Sequence, residues 1–250
     1  MNAQQLRKTN TMNAIASLEK LLEERAELDG NLASKLKKSI LQEAIQGRLV
    51  PQDPKEGRAC VNDDLLRIPK KLSVFDDYLF DIPETWRWCK LFEVADVIGG
   101  FAFQSGDLKS DDGYRVIRIS DVTPQGLSSK SIVRCNKNDI PDQYQIKEKD
   151  ILIAMTGGTV GKSLLLESLS ETMYLNQRVA MIRARNNINC YYLDLLVKSP
   201  LVQGIIKDVK NSTNDNISMT DILSFPVPLP PLSEQKRIVA KVEELFGVIR

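Results

Sequence analysis

Histidine is absent from all 250 residues, and that single absence closes several kinds of chemistry. There can be no Ser-His-Asp or Cys-His nucleophile, no His-ligated metal and no imidazole general base. Cysteine is sparse: Cys60, Cys89, Cys135 and Cys190 lie far apart with no C-x-x-C pair. A chain of this length with 42% hydrophobic residues can bury a core without a disulfide framework, so they read as four scattered buried thiols. Excess charge of either sign is also missing, since the formal net charge is +1. The molecule as a whole therefore exerts no long-range pull on a polyanion, and a nucleic-acid face has to be a local patch. Long hydrophobic runs are lacking too. The N-terminus has no signal-peptide stretch, and the most apolar run, Ile151 to Met155, is far short of the ~20 residues of a membrane span. These absences describe a reduced, cytoplasmic protein with no membrane partner.

Three kinds of segment are present. From Met12 to Gly47 the chain is rich in Leu, Glu, Lys and Ala. Apolar residues recur every three or four positions through Ile15, Leu18, Leu21, Leu22, Leu28, Leu32, Leu36, Ile40, Leu41 and Ile45, the period of an amphipathic helix. One continuous helix of this length spans about 54 Å and needs a partner along it. Gly30 is its weak point, and Gly47, followed by Pro51, is its expected stop. Between Pro51 and Pro83 the prolines indicate a linker, with Asp63 to Ile68 the one stretch able to form a helical turn.

Beyond Trp86 come short strand-like runs at Arg115 to Ile119, Ser131 to Arg134, Ile151 to Met155 and Arg178 to Arg183. A helix is expected from Tyr191 to Lys207, carried across Pro200 by Leu193, Leu196, Val197, Leu201 and Ile205. Pro226 to Pro231 forms a stiff extended exit, and Ser233 is the expected N-cap of a last amphipathic helix with Ile238, Val242, Leu245 and Ile249 in its stripe. The fold class is α+β: a long N-terminal helix, a mixed α/β globule, and a C-terminal amphipathic helix.

Gly157-Gly158-Thr159-Val160-Gly161-Lys162-Ser163 invites a phosphate-loop reading. The register opposes it, because the first glycine of that motif would fall on Thr156. A Gly-rich turn between strands, or a loop whose exposed backbone meets a nucleic-acid phosphate, fits better. Arg115, Arg118, Lys162, Arg178, Arg183 and Arg185 read mostly as solvated charges on outward strand faces. Lys210 to Ser218 is either a floppy loop or one that reads base edges with Asn and Ser. Trp86 and Trp88 read as core anchors, and Asp121 and Asp150 have no spacing that marks a metal or acid/base pair.

Four stretches carry a family resemblance. Leu36 to Gln52, ending in Gly47-Arg48-Leu49-Val50-Pro51-Gln52, resembles the end of a helical region of type I restriction-modification specificity subunits. Ile82-Pro83-Glu84-Thr85-Trp86-Arg87-Trp88 resembles the entry to a target recognition domain. Asp150 to Gly157, with Asn176 to Ala180, resembles its inner strands, and Pro228 to Val239, containing Leu229-Pro230-Pro231-Leu232-Ser233-Glu234-Gln235, resembles its exit into a second helix.

The resemblance implies a spacer helix over residues 1–50, a linker over 51–83, a DNA-binding target recognition domain over 84–231 and the start of a second spacer helix over 232–250, the helices forming an antiparallel coiled-coil-like spacer. It implies a non-catalytic reader of double-stranded DNA that directs methylation or cleavage by modification and restriction subunits. S-adenosylmethionine, ATP and Mg²⁺ would reside on those partners, and this chain would hold no cofactor and no metal. Polar loops would read bases while Lys and Arg set the register on phosphates; the candidates are Gln104, Ser105, Thr156, Thr159, Lys162, Arg178, Asn211, Ser212 and Asn214. With one recognition domain the chain is half a subunit. Two copies related by a two-fold axis would complete each other's spacer as a homodimer, and a fragment of a longer subunit is the other reading. The alternatives from other classes are a P-loop-like nucleotide-binding protein and a helical scaffold protein.

Overall fold

The computed structural model describes residues 3–61, 69–108, 112–136, 139–213 and 215–249. Asp63 to Ile68 and Asn214, singled out above, lie outside the described residues. Helix α1 (Ala3–Ile45) runs unbroken through Gly30. It stops where Gly47 takes a left-handed φ of 72°, and a Cβ there would meet Pro83 Cγ at 2.4 Å, so both the conformation and the space demand glycine.

The globule begins with β1 (Arg87–Lys90), α2 (Leu91–Val94) and β2 (Ala95–Gly99). It continues through β3 (Tyr114–Ile117), β4 (Val122–Thr123), β5 (Gly126–Leu127), β6 (Arg134–Cys135), β7 (Ile151–Ala154), β8 (Ser163–Leu165), β9 (Met173–Leu175) and β10 (Val179–Ala184). Then come α3 (Cys190–Lys198), α4 (Pro200–Ser212), α5 (Met219–Leu223), β11 (Pro226–Leu229) and α6 (Leu232–Val248).

The main sheet is antiparallel in the order β2-β10-β7-β8. Its alternation explains the unbroken apolar run at Ile151. Ile151, Ile153, Ala180 and Ile182 face a core with α3, α4 and Phe225, while Leu152, Val179 and Met181 face a second core with Ile117, Val122 and Leu175. A strand buried on both faces has no polar side to show. Beside it stands a smaller sheet, β6-β3-β9, in which β3 and β9 are parallel. The exit strand β11 pairs antiparallel with β1, so entry and exit of the globule are hydrogen-bonded to each other.

The two long helices run antiparallel. Lys37 lies over the Phe246 ring at 5.6 Å, while Gln52, just past α1, donates to Glu234 in the first turn of α6 at 2.6 Å. Leu41, Ala44, Trp86, Tyr192, Ile238, Val239 and Val242 form the cluster that fastens both helices to α3. Leu28, Leu32 and Leu36, four residues apart on α1, are exposed at 69, 57 and 44%.

Several local expectations are corrected. The helix expected across Pro200 is two helices: Ser199 is extended and caps α4, accepting from Val202 N–H, because proline forces the residue before it out of the helical region. Ser233 is not the N-cap of α6. That helix starts at Leu232, two residues earlier than a Ser233 cap would place it, behind an extended Pro231 with no side-chain cap. Of the thiols, Cys89 and Cys135 are buried, Cys190 is half-buried and Cys60 is exposed. Burial pushes the Cys89 thiol well up.

Most of the arginines are structural. Arg183 grips the fully buried Asp150 with two bonds of 2.7 Å, Arg185 pairs with Asp96, Arg118 pairs with Asp121, and the buried Arg115 donates to Ser128 O at 2.6 Å. Strand alternation could not reveal this, since the partners of Arg183 and Arg185 lie tens of residues away along the chain. Trp86 is a core anchor as expected, and Trp88, half-buried, donates to Phe80 O.

One buried carboxyl makes a pH prediction. Asp194 on α3 is 8% exposed, pairs with Lys198 at 2.6 Å and leaves Oδ1 without a hydrogen-bond partner among the described residues. Burial raises its pKa above the ordinary carboxylate value, against the pull of Lys198. The folded state then holds the proton at a pH where the unfolded state has lost it, so the fold gains stability as pH falls from neutral through the raised value. Chemical denaturation across acid pH is expected to show wild type gaining on Asp194→Asn over that window; a constant difference would contradict it.

Candidate nucleic-acid interface

Strand direction collects the candidate residues at one edge of the main sheet. β2 and β7 end there, β10 and β8 begin there, and β9 of the smaller sheet joins it through the turn leading into β10. The turns at that edge are tied to one another by backbone. Asn176 N–H donates to Ile117 O at 3.0 Å, Gln177 N–H to Phe101 O at 2.9 Å and Met155 N–H to Arg178 O at 3.0 Å. Gly157 N–H donates to Asp215 O at 2.9 Å, and Ile217 N–H to Met155 O at 2.9 Å. Thr156 and Asn216 form an isolated bridge.

Thr156, Thr159, Lys162, Arg178, Asn211 and Ser212 are thus drawn to one side of the molecule. Lys162, Arg178, Asn211 and Ser212 are exposed. The Thr156 hydroxyl is buried without a partner among the described residues and Thr159 donates back to Thr156 O at 3.4 Å, so these two shape the loop rather than extend from it. Gln104 and Ser105 are exposed on the loop leaving β2, in a turn closed by Asp107, whose Oδ2 accepts Gln104 N–H at 2.9 Å. Gly100 N–H, which donates to Val179 O, and Phe101, which donates to Leu175 O and accepts from Gln177 N–H, tie the start of that loop to the others. The sequence reading missed Ser120 and Gln177 and took Asn216 only as part of the polar run Lys210 to Ser218; all three are exposed at this edge. Nothing in the polar run around Ser120 marks it, and Gln177 was hidden in a segment read as strand.

The Gly-rich segment is the turn of the β7–β8 hairpin. Gly157 and Gly161 have φ of 69° and 81°. A strand follows Lys162, so no helix N-terminus faces the loop as a phosphate loop requires.

The opposite edge is closed. Arg183–Asp150 and Arg185–Asp96 lie there, and the chain leaves β10 into α3, whose N-cap Asn189 donates its own N–H to Gln235 Oε1 of α6 at 2.8 Å. The sheet thus offers exposed polar turns at one edge and is fixed to a helical pair at the other.

A family model described as the type I restriction modification DNA specificity domain matches residues 83–249. The chain belongs to that family. It is 28% identical over 232 residues to the type I restriction enzyme EcoAI specificity subunit of Escherichia coli, covering 84% of this chain and 39% of that protein. Against the EcoBI specificity subunit of Escherichia coli identity is 25%, covering 89% and 45%. The HsdS subunit from Thermoanaerobacter tengcongensis has the same fold, with a TM-score of 0.58 at 19% identity over 98% of this chain and 52% of that one. The chain spans about two-fifths of the length of the curated relatives it matches.

Proposed function

We propose that the chain is a sequence-specific reader of double-stranded DNA within a type I restriction-modification complex. The carrying observation is the gathering of exposed polar turns at one sheet edge while the other edge is locked to α1 and α6. The edge enters DNA, and the helices dock modification subunits, with the restriction subunit joining that assembly. Methyl transfer and cleavage, with their S-adenosylmethionine, ATP and Mg²⁺, belong to those partners, and this chain is non-catalytic and works in the cytoplasm. A second copy of the chain pairs along α1, where Leu28, Leu32 and Leu36 lie exposed N-terminal to the stretch that α6 covers. Such a homodimer presents two recognition edges a fixed distance apart.

Light scattering on the purified chain, alone and with a cognate modification subunit, followed by a shift of random-sequence duplex at low salt, tests this. The expected result is a dimer that recruits the modification subunit and then binds DNA in a salt-dependent way. A dimer with no salt-dependent DNA binding would support a helical scaffold instead, and a monomer binding neither would sink the proposal.

A further inference from the structure

We infer that the turn Asn176–Arg178 and the turn Arg118–Asp121 together form a subsite for a single backbone phosphate of duplex DNA. This rests on the DNA-reading role proposed above and assigns the contact that sets its register.

Between the two turns lies an open pocket of about 280 Å³ lined by Arg118, Ile119, Ser120, Asn176, Gln177 and Arg178. Two guanidinium groups, a hydroxyl and two amides border it, and no carboxylate does so among the described residues. The acid of the Arg118 turn, Asp121, is 3% exposed and turned into its own loop, where it accepts from Arg118 N–H at 2.8 Å and Arg118 Nε at 3.3 Å. Arg118 also donates to Ser131 O at 2.6 Å, so its charge is balanced and its position fixed. Arg178 is exposed and makes no ion pair among the described residues. One uncompensated positive charge therefore remains at the pocket, matching the single negative charge of a phosphodiester.

The backbone beneath it is set before any ligand arrives. Asn176 N–H, Gln177 N–H, Val179 N–H and Arg178 O are each bonded, to Ile117 O, Phe101 O, Asn176 O and Met155 N–H at 3.0, 2.9, 2.9 and 3.0 Å. The side chains of Ser120, Gln177 and Arg178 are left exposed. Ordering on binding is confined to side chains, which suits a contact that positions the module while neighbouring loops read bases.

The test measures affinity of the chain with its modification subunit for target duplex and for random duplex over a range of salt. Arg178→Ala is expected to weaken both by the same factor, roughly fivefold to tenfold at low salt, and to reduce the slope of log K against log salt by about one. Arg178→Lys restores the slope. Gln177→Ala weakens both about twofold with the slope unchanged. Loss confined to the target with an unchanged slope would make Arg178 a base reader and overturn the subsite, as would no loss at all. A wild-type assembly that binds no DNA overturns the functional reading itself. These side chains are exposed, so unchanged melting separates a binding defect from misfolding.

Discussion

Replacing Gly100 by alanine is expected to destabilise the protein by about 3 kcal/mol or more, at the upper end of what overpacking does. The reason is backbone against backbone. A Cβ on Gly100 would lie 2.1 Å from Asn176 O, 2.2 Å from Asn176 C and 2.6 Å from Leu175 O, none of which can rotate away. Relief requires the exit of β2 to separate from the Asn176 turn. That would break the bonds from Gly100 N–H to Val179 O, Phe101 N–H to Leu175 O and Gln177 N–H to Phe101 O, at 3.1, 2.7 and 2.9 Å. Because the same bonds fix the candidate interface, binding of DNA should fail together with stability. Gly99→Ala is the control, since the nearest atom to its Cβ is the flexible Met219 Sδ at 3.4 Å, and it should cost less than about 1 kcal/mol. Urea denaturation decides the matter, and equal costs at the two positions would refute the argument.

Trp86→Ala should cost about 3 to 5 kcal/mol, as for other large buried side chains cut to alanine. Trp86 is 6% exposed within the cluster that binds α1 and α6 to the globule, and its indole N–H donates to Glu234 Oε2 at 2.9 Å. The variant should also free the helices, seen as faster proteolysis between Gly47 and Trp86. Trp86→Phe separates packing from hydrogen bonding. It fills most of the space but leaves a buried carboxylate oxygen without its donor, at a cost of about 1 to 3 kcal/mol. Burial raises the Glu234 pKa while the bonds from Trp86 and Gln52 hold it down, so losing the indole donor raises it further. The deficit of Trp86→Phe should therefore shrink as pH falls and the carboxyl takes up its proton. A deficit independent of pH would mean that Glu234 does not sense the indole.

How much was legible beforehand differs from element to element. The 3.6-residue period from Met12 to Gly47 survives as one helix because each residue's neighbours are its own turn, and Gly47 is punctuation that needs no tertiary context. The strand at Ile151 was legible for the same local reason. The break at Pro200 was legible as well, yet the apolar spacing across it outweighed the proline in the reading. Hydrogen-bond geometry decided otherwise.

The sequence alone determined the α+β class, the long helix and its stop, the absence of imidazole chemistry, and the family, through motifs whose order along the chain is itself information. Tertiary structure alone decided which charges are available. Arg115, Arg118, Arg183 and Arg185 look like Arg178 in the sequence, but Arg183 and Arg185 are held by carboxylates tens of residues away, Arg115 by Ser128 O and Arg118 by Asp121 of its own turn, while Arg178 makes no ion pair among the described residues. It also decided that Thr156 is turned inward and that Gln177 stands at an edge between three elements. Local pattern fixes which face a residue takes. For Arg183 and Arg185 the partner lies tens of residues away and is in place only after the sheet has assembled.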